Sequence, residues 1–257
     1  MAAGSPQLRR GEEGITLALT GDVMLGRLMN DVLRDRGPDY PWGDTLPLLR
    51  SVDLRLINLE CVIALTGEPW TRTPKMFHFR ADPVAIETLR LASIDCVSLA
   101  NNHVLDYHEA ALEGMLGRLD AAGILHAGAG LNRAAAFHHA IVEQRGVRIA
   151  VVAFTDNQPE WAATPSSTGV SFVPVDATDP QLDTLLAAIE SARADADMVV
   201  CSAHWGPNMR QRPPPSFRSF AHALVDHGVD LIWGHSAHLV QGVEVYRSTP
   251  IIYDAGD

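Results

Sequence analysis

Cysteine is scarce in this 257-residue chain: Cys61, Cys96 and Cys201 are the only three, and no two stand in a CxxC spacing. An odd, scattered set closes no disulfide framework and supplies no thiolate zinc site. Cys96 and Cys201 lie inside apolar runs, where a free cysteine behaves as a small buried hydrophobe. Long apolar runs are missing as well. None approaches the about 20 residues that span a bilayer, and the opening MAAGSPQLRRGEEG lacks the apolar core of a signal peptide. No direct membrane anchor is therefore expected, and a cytoplasmic, reducing location follows by default. Positive charge is also in deficit, with 20 Lys and Arg against 31 Asp and Glu and a formal net charge of −11. Binding along a phosphate backbone needs a basic surface, so a nucleic-acid partner is not expected. An anionic small molecule stays open, because a bound cation can dominate the field around itself.

The composition that remains, 47% hydrophobic and 20% charged, describes a globular protein rather than a disordered one. Residues 1–14 read as a flexible tail and 15–257 as one large mixed α/β domain. Strands are expected at 15–20, 54–59, 96–100, 198–203 and 229–233. Helices are expected at 25–34, 83–91, 109–121, 182–194 and 217–226. Asp82 is the expected N-cap before Pro83, and Gly123 the stop after the third helix. Runs 139–144 and 147–155, split by Arg145-Gly146, read as a β-hairpin, and 242–246 and 251–254 as two closing strands. Strands alternating with helices imply largely parallel sheet, with an antiparallel portion from the hairpin and the closing strands.

The chemistry lies just past the end of each buried strand. ITLALT runs into Gly21-Asp22, LRLIN into Leu59-Glu60, and DCVSLA into Asn101-Asn102-His103. DMVVCSA runs into His204-Trp205-Gly206, and VDLIW into Gly234-His235-Ser236-Ala237-His238. Carboxyl ends of strands form the ligand crevice of open α/β sheets, so these groups are expected to converge. Asp22, Glu60, Asn102, His204, His235 and His238 make a mixed oxygen and nitrogen set suited to one or two divalent ions, Mn, Zn or Fe. A bridging carboxylate such as Glu60 would let two cations sit side by side, and coordinated water becomes a nucleophile near neutral pH. Each residue alone has a plainer role: Asp22 as a helix cap, Glu60 as a solvated loop charge, Asn102 as a turn residue, His204 as a satisfied core histidine. Together, at equivalent strand ends, they favour the metal site.

GDVMLGR (21–27), NLE (58–60), NNHVLD (101–106), HWG (204–206), GHSAH (234–238) and QGVEVY…PIIYDAGD (241–257) resemble the CapA family. These are poly-γ-glutamate capsule synthesis proteins of the metallophosphatase, or calcineurin-like phosphoesterase, superfamily. The match is collinear from about Ile15 to the last residue. The resemblance implies a four-layer α-β-β-α sandwich with metals at the edge of its two sheets. It implies Asp22, Glu60 and His238 near one metal, and Glu60, Asn102, His204 and His235 near the other. His103 matches the superfamily's general acid, with Asp106 orienting its ring. Arg27, Asn101 and Trp205 are expected at the substrate, and more remotely the Arg210 and Arg212 loop.

Two departures bear on metal count. Met24 stands where most metallophosphatases carry a second ligand, His, and the usual GHxH is here GHSAH. The expected function is hydrolysis of a phosphoester or γ-glutamyl-type amide by metal-activated water, on a small-molecule or poly-γ-glutamate-like polymer substrate. The alternative is a non-catalytic binding or scaffold subunit in capsule synthesis or export. A zinc amidohydrolase of barrel type is a weaker fit, because the first strand ends in Gly21-Asp22 and not in an HxH pair.

Overall fold

The structure, a computed structural model, describes residues 14–257. The tail expected over 1–14 lies, save for Gly14, outside the described residues.

Two sheets face each other. The first is four-stranded and wholly parallel, built from β1 (Leu17–Val23), β2 (Leu54–Leu59), β3 (Cys96–Ser98) and β4 (Leu125–Ala127) in that spatial order. The second is six-stranded, from β5 (Ala140–Gln144), β6 (Val147–Thr155), β7 (Met198–His204), β8 (Leu231–His235), β9 (Val243–Tyr246) and β10 (Thr249–Ile252). Its spatial order is β9-β10-β8-β7-β6-β5, with the inner four strands parallel and both edge strands antiparallel. The expected hairpin is β5–β6, and Arg145 and Gly146 take positive φ of 52° and 78°, the combination a two-residue turn between twisted strands requires.

The period of two along each strand sorts its side chains into layers. Leu54 and Leu56 point inward with Ile149, Val151, Ala153, Val200 and Trp233 to fill the space between the sheets. Ile57, Leu59, Val97 and Leu99 point outward under α3 (Ala85–Leu91) and α4 (His108–Ala122). Val152, Phe154, Val199 and Cys201 point outward under α6 (Gln181–Asp195) and α7 (Pro215–Asp226). Helix, sheet, sheet, helix: the four-layer sandwich holds, and two open sheets leave no closed barrel. All three cysteines are buried free thiols, one in each apolar layer. Shorter helices α1 (Met29–Arg36), α2 (Leu46–Ser51) and α5 (Arg133–Ala136) complete the helical set of the described residues with 3-10 turns at Tyr40–Thr45 and Pro159–Trp161. No helix among the described residues is long and apolar enough to cross a membrane.

Two local expectations need correcting. The helix expected from residue 25 begins at Met29, because Gly26 packs on the Arg80 backbone and Arg27 is left-handed, with φ 54°. Asp82 does not cap α3. Its carboxylate takes a hydrogen bond from Arg34 at 2.6 Å, and Val84 occupies the cap position without a side-chain bond.

Trp233 joins the sheets physically. It is fully buried on β8, and its indole N–H donates to the Thr20 carbonyl of β1 at 2.7 Å. Trp233→Ala should lower the unfolding free energy by about 3–5 kcal/mol through cavity and hydrogen-bond loss together. Urea denaturation reads this directly, as a lower midpoint at unchanged slope.

Candidate metal centre

The carboxyl ends of β1, β2, β3, β7 and β8 meet at one rim of the sandwich, and register explains how. Asp22 on β1 lies beside Asn58 on β2, and His204 on β7 lies beside His235 on β8, so each sheet presents an adjacent pair. A register shift between Leu19 and Asp22 marks a bulge, a device that re-aims a side chain at a strand end. Gly21 is required there: a Cβ would meet the Gly256 carbonyl oxygen at 1.7 Å, and the Asp22 amide donates to that oxygen at 2.9 Å.

Ligand-type atoms of Asp22, His204 and His235 all lie within 4.8 Å of one another, and so do those of Asp22, His238 and Asp257. Asp22 is thus the carboxylate common to both groups. Glu60, the expected bridge, belongs to neither; its Oε1 stands 3.8 Å from His204 Nε2 and 3.9 Å from His103 Nε2. Asn102 Oδ1 lies 2.9 Å from His204 Nε2. Met24, at the position of the missing histidine, turns its sulfur to accept the Gly26 N–H at 3.1 Å.

The protonation pattern is set by the partners. Ser202 Oγ donates its single hydrogen to Ser98 Oγ at 2.8 Å, so it accepts from His235 Nε2–H at 2.9 Å. The Nδ1 of His235 is thereby left as a lone pair, buried and without a hydrogen-bond partner, and Glu60 Oε1 is likewise unpartnered. Burial pushes His204 down to about 3 and His235 down to about 4, so both imidazoles are neutral. Burial opposes ionisation of Asp22, but the hydrogen bonds from His238 and Asn58 help to outweigh it, and the carboxyl is held well below its usual range. The hydrogen bond with Asp22 raises His238. Burial, then the Asp22 charge, raises Glu60. Neutral imidazoles at 204 and 235, the shared Asp22 carboxylate and two orphaned acceptors form a donor set that fits a divalent cation.

Beside this cluster stands a dyad. His103 Nδ1 lies 2.5 Å from Asp106 Oδ2, which also accepts the Phe79 amide at 2.6 Å. The Phe79 ring stacks on the imidazole at 3.8 Å between centroids. Arg27 is exposed at the rim, its guanidinium carbon 5.6 Å from the Phe77 and Phe79 rings. Arg210 and Arg212 are exposed in the loop after His204.

Two expected substrate contacts have other work. Trp205 is buried, packs on Phe154, Phe217 and Tyr253, and donates its indole N–H to the Tyr253 carbonyl at 2.9 Å. Asn101 is fully buried; its amide donates to Asn58 Oδ1 and the Leu59 carbonyl, and its Oδ1 accepts the His103 amide. The residues that sequence reasoning missed are Asn58, Lys75, Phe79 and Asp257. Asn58 donates to Asp22 Oδ1 at 2.7 Å and lies 3.3 Å from His204 Nδ1, and its position before Glu60 in NLE was the available signal. Asp257 accepts from His238 Nδ1 at 2.8 Å.

Fold and site together define a metallophosphatase-like α/β sandwich. The chain belongs to the family described as "Bacterial capsule synthesis protein PGA_cap", whose match covers residues 16–257. It is 31% identical over 293 residues to the "Probable polyglutamine synthesis accessory protein" of Mycobacterium tuberculosis, covering 99% of this chain and 75% of that one. With the capsule biosynthesis protein CapA of Bacillus anthracis it shares 30% identity over 258 residues, covering 99% of this chain and 62% of that one. The chain thus spans less than two thirds of the Bacillus relative. Among solved structures, a "novel phosphatase" of Mycoplasma pneumoniae superposes with TM-score 0.53 at 16% identity, covering 94% of this chain and 72% of that one. A hypothetical protein of Thermus thermophilus superposes with TM-score 0.51 at 16% identity, covering 93% and 75%. These likenesses establish the fold.

The inward turn of Trp205 has a measurable consequence. Trp205→Phe should lower stability by about 1–3 kcal/mol while leaving divalent-metal affinity within about twofold. Chemical denaturation and calorimetric titration with Mn²⁺ on the same variant check the two halves.

Proposed function

We propose that this protein is a metal-dependent hydrolase whose metal is held by Asp22, His204, His235 and His238, with Glu60 and Asn102 adjoining. The observation that carries the proposal is the pair of buried, unpartnered acceptors, His235 Nδ1 and Glu60 Oε1, on residues that adjoin a shared carboxylate and neutral imidazoles. A cation bound there would polarise a substrate oxygen and lower the pKa of a coordinated water. Asp22, His204 and His235 are buried and their partners fixed, whereas His238 and Asp257 are more exposed. The first group is therefore the tighter half, and a second ion at His238 and Asp257 would bind more weakly.

His103 supplies the proton chemistry. Asp106 holds its Nδ1–H, so Nε2 is the atom that faces the site, on the side of Glu60; protonated there as imidazolium, it can deliver that second proton to a departing oxygen or nitrogen and return to the neutral Nδ1–H form. Arg27, at the open rim, is placed to meet a phosphate or carboxylate of the substrate. Phosphoester cleavage is supported by the fold shared with the Mycoplasma phosphatase. Cleavage of a γ-glutamyl-type amide is supported by the names of the curated relatives, which tie them to polyglutamine synthesis and capsule formation. In either chemistry the leaving atom needs a proton, which is the place of His103.

Untagged protein should contain bound Mn, Zn or Fe by elemental mass spectrometry, and chelation should lower its melting temperature. Asp22→Ala and His235→Ala should each lose most of that metal. His103→Ala should keep its metal yet lose about 10²- to 10⁴-fold in kcat on a phosphomonoester or γ-glutamyl amide that wild-type protein cleaves. Full metal content in Asp22→Ala would sink the proposed site. Metal-loaded wild type that cleaves nothing across both substrate classes would favour the scaffold subunit.

A further inference from the structure

One charged side chain near the site has no part in the metal cluster. Lys75 lies in the polar loop between β2 and α3, its side chain only 8% exposed. Its Nζ donates to the Asn102 carbonyl at 2.6 Å, stands 3.3 Å from Asp106 Oδ1, and lies 4.9 Å from the Trp161 ring centroid. Asp106 is fully buried. Its Oδ2 is engaged by His103 and the Phe79 amide, while its Oδ1 makes no hydrogen bond and faces the Lys75 charge. The same loop is sewn to the dyad at two further points: the Trp70 amide donates to the Asp106 carbonyl at 2.8 Å, and Phe79 stacks on His103.

Burying an ammonium is costly, and an apolar residue of similar length would fill this space more cheaply, so stability alone is a weak reason for lysine here. What the charge does accomplish is specific. A buried carboxyl whose far oxygen is unheld could turn away from Nδ1–H, and the imidazole would then be free to carry its hydrogen on Nε2 instead. With Lys75 on its far oxygen, Asp106 remains an acceptor toward Nδ1–H. The other Lys75 contact, to the Asn102 carbonyl, ties the dyad to the residue whose side chain meets His204.

We infer that Lys75 is a positioning residue for His103: locked between the Asn102 carbonyl and Asp106, it fixes the carboxyl that retains the hydrogen on Nδ1, which leaves Nε2 aimed into the site as the atom that takes up and delivers the transferred proton. The inference rests on His103 being the proton donor only for its catalytic consequence; the tautomer is a property of the protein itself.

Lys75→Met keeps the stem and removes the charge, Lys75→Gln keeps a donor for Asn102, and Lys75→Arg keeps the charge. Long-range ¹H–¹⁵N spectra of the histidine rings, with His103 assigned by its loss in His103→Gln, read the tautomer without any turnover. Wild type and Lys75→Arg should show a single Nδ1–H tautomer for His103, with a strongly downfield Nδ1–H. Lys75→Met, or Lys75→Gln should the first fail to fold, should show a mixed tautomer with bound metal unchanged. Turnover gives the second readout. On methyl phosphate, whose leaving group needs a proton, kcat in Lys75→Met should fall about 10²-fold at similar KM. On 4-nitrophenyl phosphate, whose leaving group does not, it should fall less than about tenfold. An unchanged His103 spectrum in the charge-removing variants overturns the inference and leaves Lys75 a buried counter-ion; equal losses on both esters overturn its catalytic half. Wild-type protein that cleaves neither ester counts against the phosphoester form of the proposed hydrolysis, while the spectra still decide the role of Lys75.

Discussion

A carboxylate taken out of water has to be compensated, and Asp22, 7% exposed at the meeting point of two sheets, sets that condition for the whole rim. Its compensation comes from three donors far from it in the chain. Asn58 donates from the next strand, the Ser236 amide from the loop after β8, and His238 from two residues further, while the Asp22 amide is fixed by Gly256. None of these partners is local in sequence. Each can reach Asp22 only if both sheets have formed and packed, so the integrity of the cluster and the closure of the sandwich are one event.

The loop carrying GHSAH shows how firmly the site is held. Ser236 and His238 adopt positive φ of 110° and 56°, conformations that cost a non-glycine residue about 1–3 kcal/mol each. They persist because neighbouring contacts over-determine them. The Ala237 amide donates to Asp254 at 2.6 Å, Ser236 Oγ to the Gly206 carbonyl at 2.9 Å, and the Ser236 amide to Asp22. The extra residue relative to a GHxH spacing is absorbed in this turn, which is how His235 and His238 both stay beside Asp22 while pointing from different sides.

Much of this was legible in the sequence for a physical reason: strand identity and strand ends are recorded locally. Alternating apolar residues mark each strand, and a polar residue directly after one marks the rim, so Asp22, Glu60, Asn102, His103, His204 and His235 could be gathered without coordinates. The misplacements also have physical sources. Trp205 comes directly after His204, and the pleat sends consecutive side chains to opposite faces; a side chain turned to the rim at 204 therefore implied a core residue at 205, alongside Phe154 and Phe217. Asn101 sits among polar neighbours but is drawn under the strand ends by Asn58 and the Leu59 carbonyl. Lys75 and Phe79 come from a loop with no periodicity, whose path over the dyad depends on contacts such as Trp70 with Asp106 that no local pattern encodes.

The two halves of the cluster are unlike for a related reason. His204 and His235 descend from adjacent parallel strands, are fully desolvated, and have their ring nitrogens assigned by Asn58, Asn102 and Ser202. His238 and Asp257 lie outside the ladders, and the positive charge between Asp22 and Asp257 is a proton on His238. With Met24 turned to Gly26, no further imidazole from β1 offsets that exposure. A cation entering the second group has to displace the His238 proton and order an exposed carboxylate, while one entering the first meets lone pairs already unprotonated and aimed. The departure at Met24 therefore acts on one half of the site and leaves the preorganised half, with His103 beside it, intact.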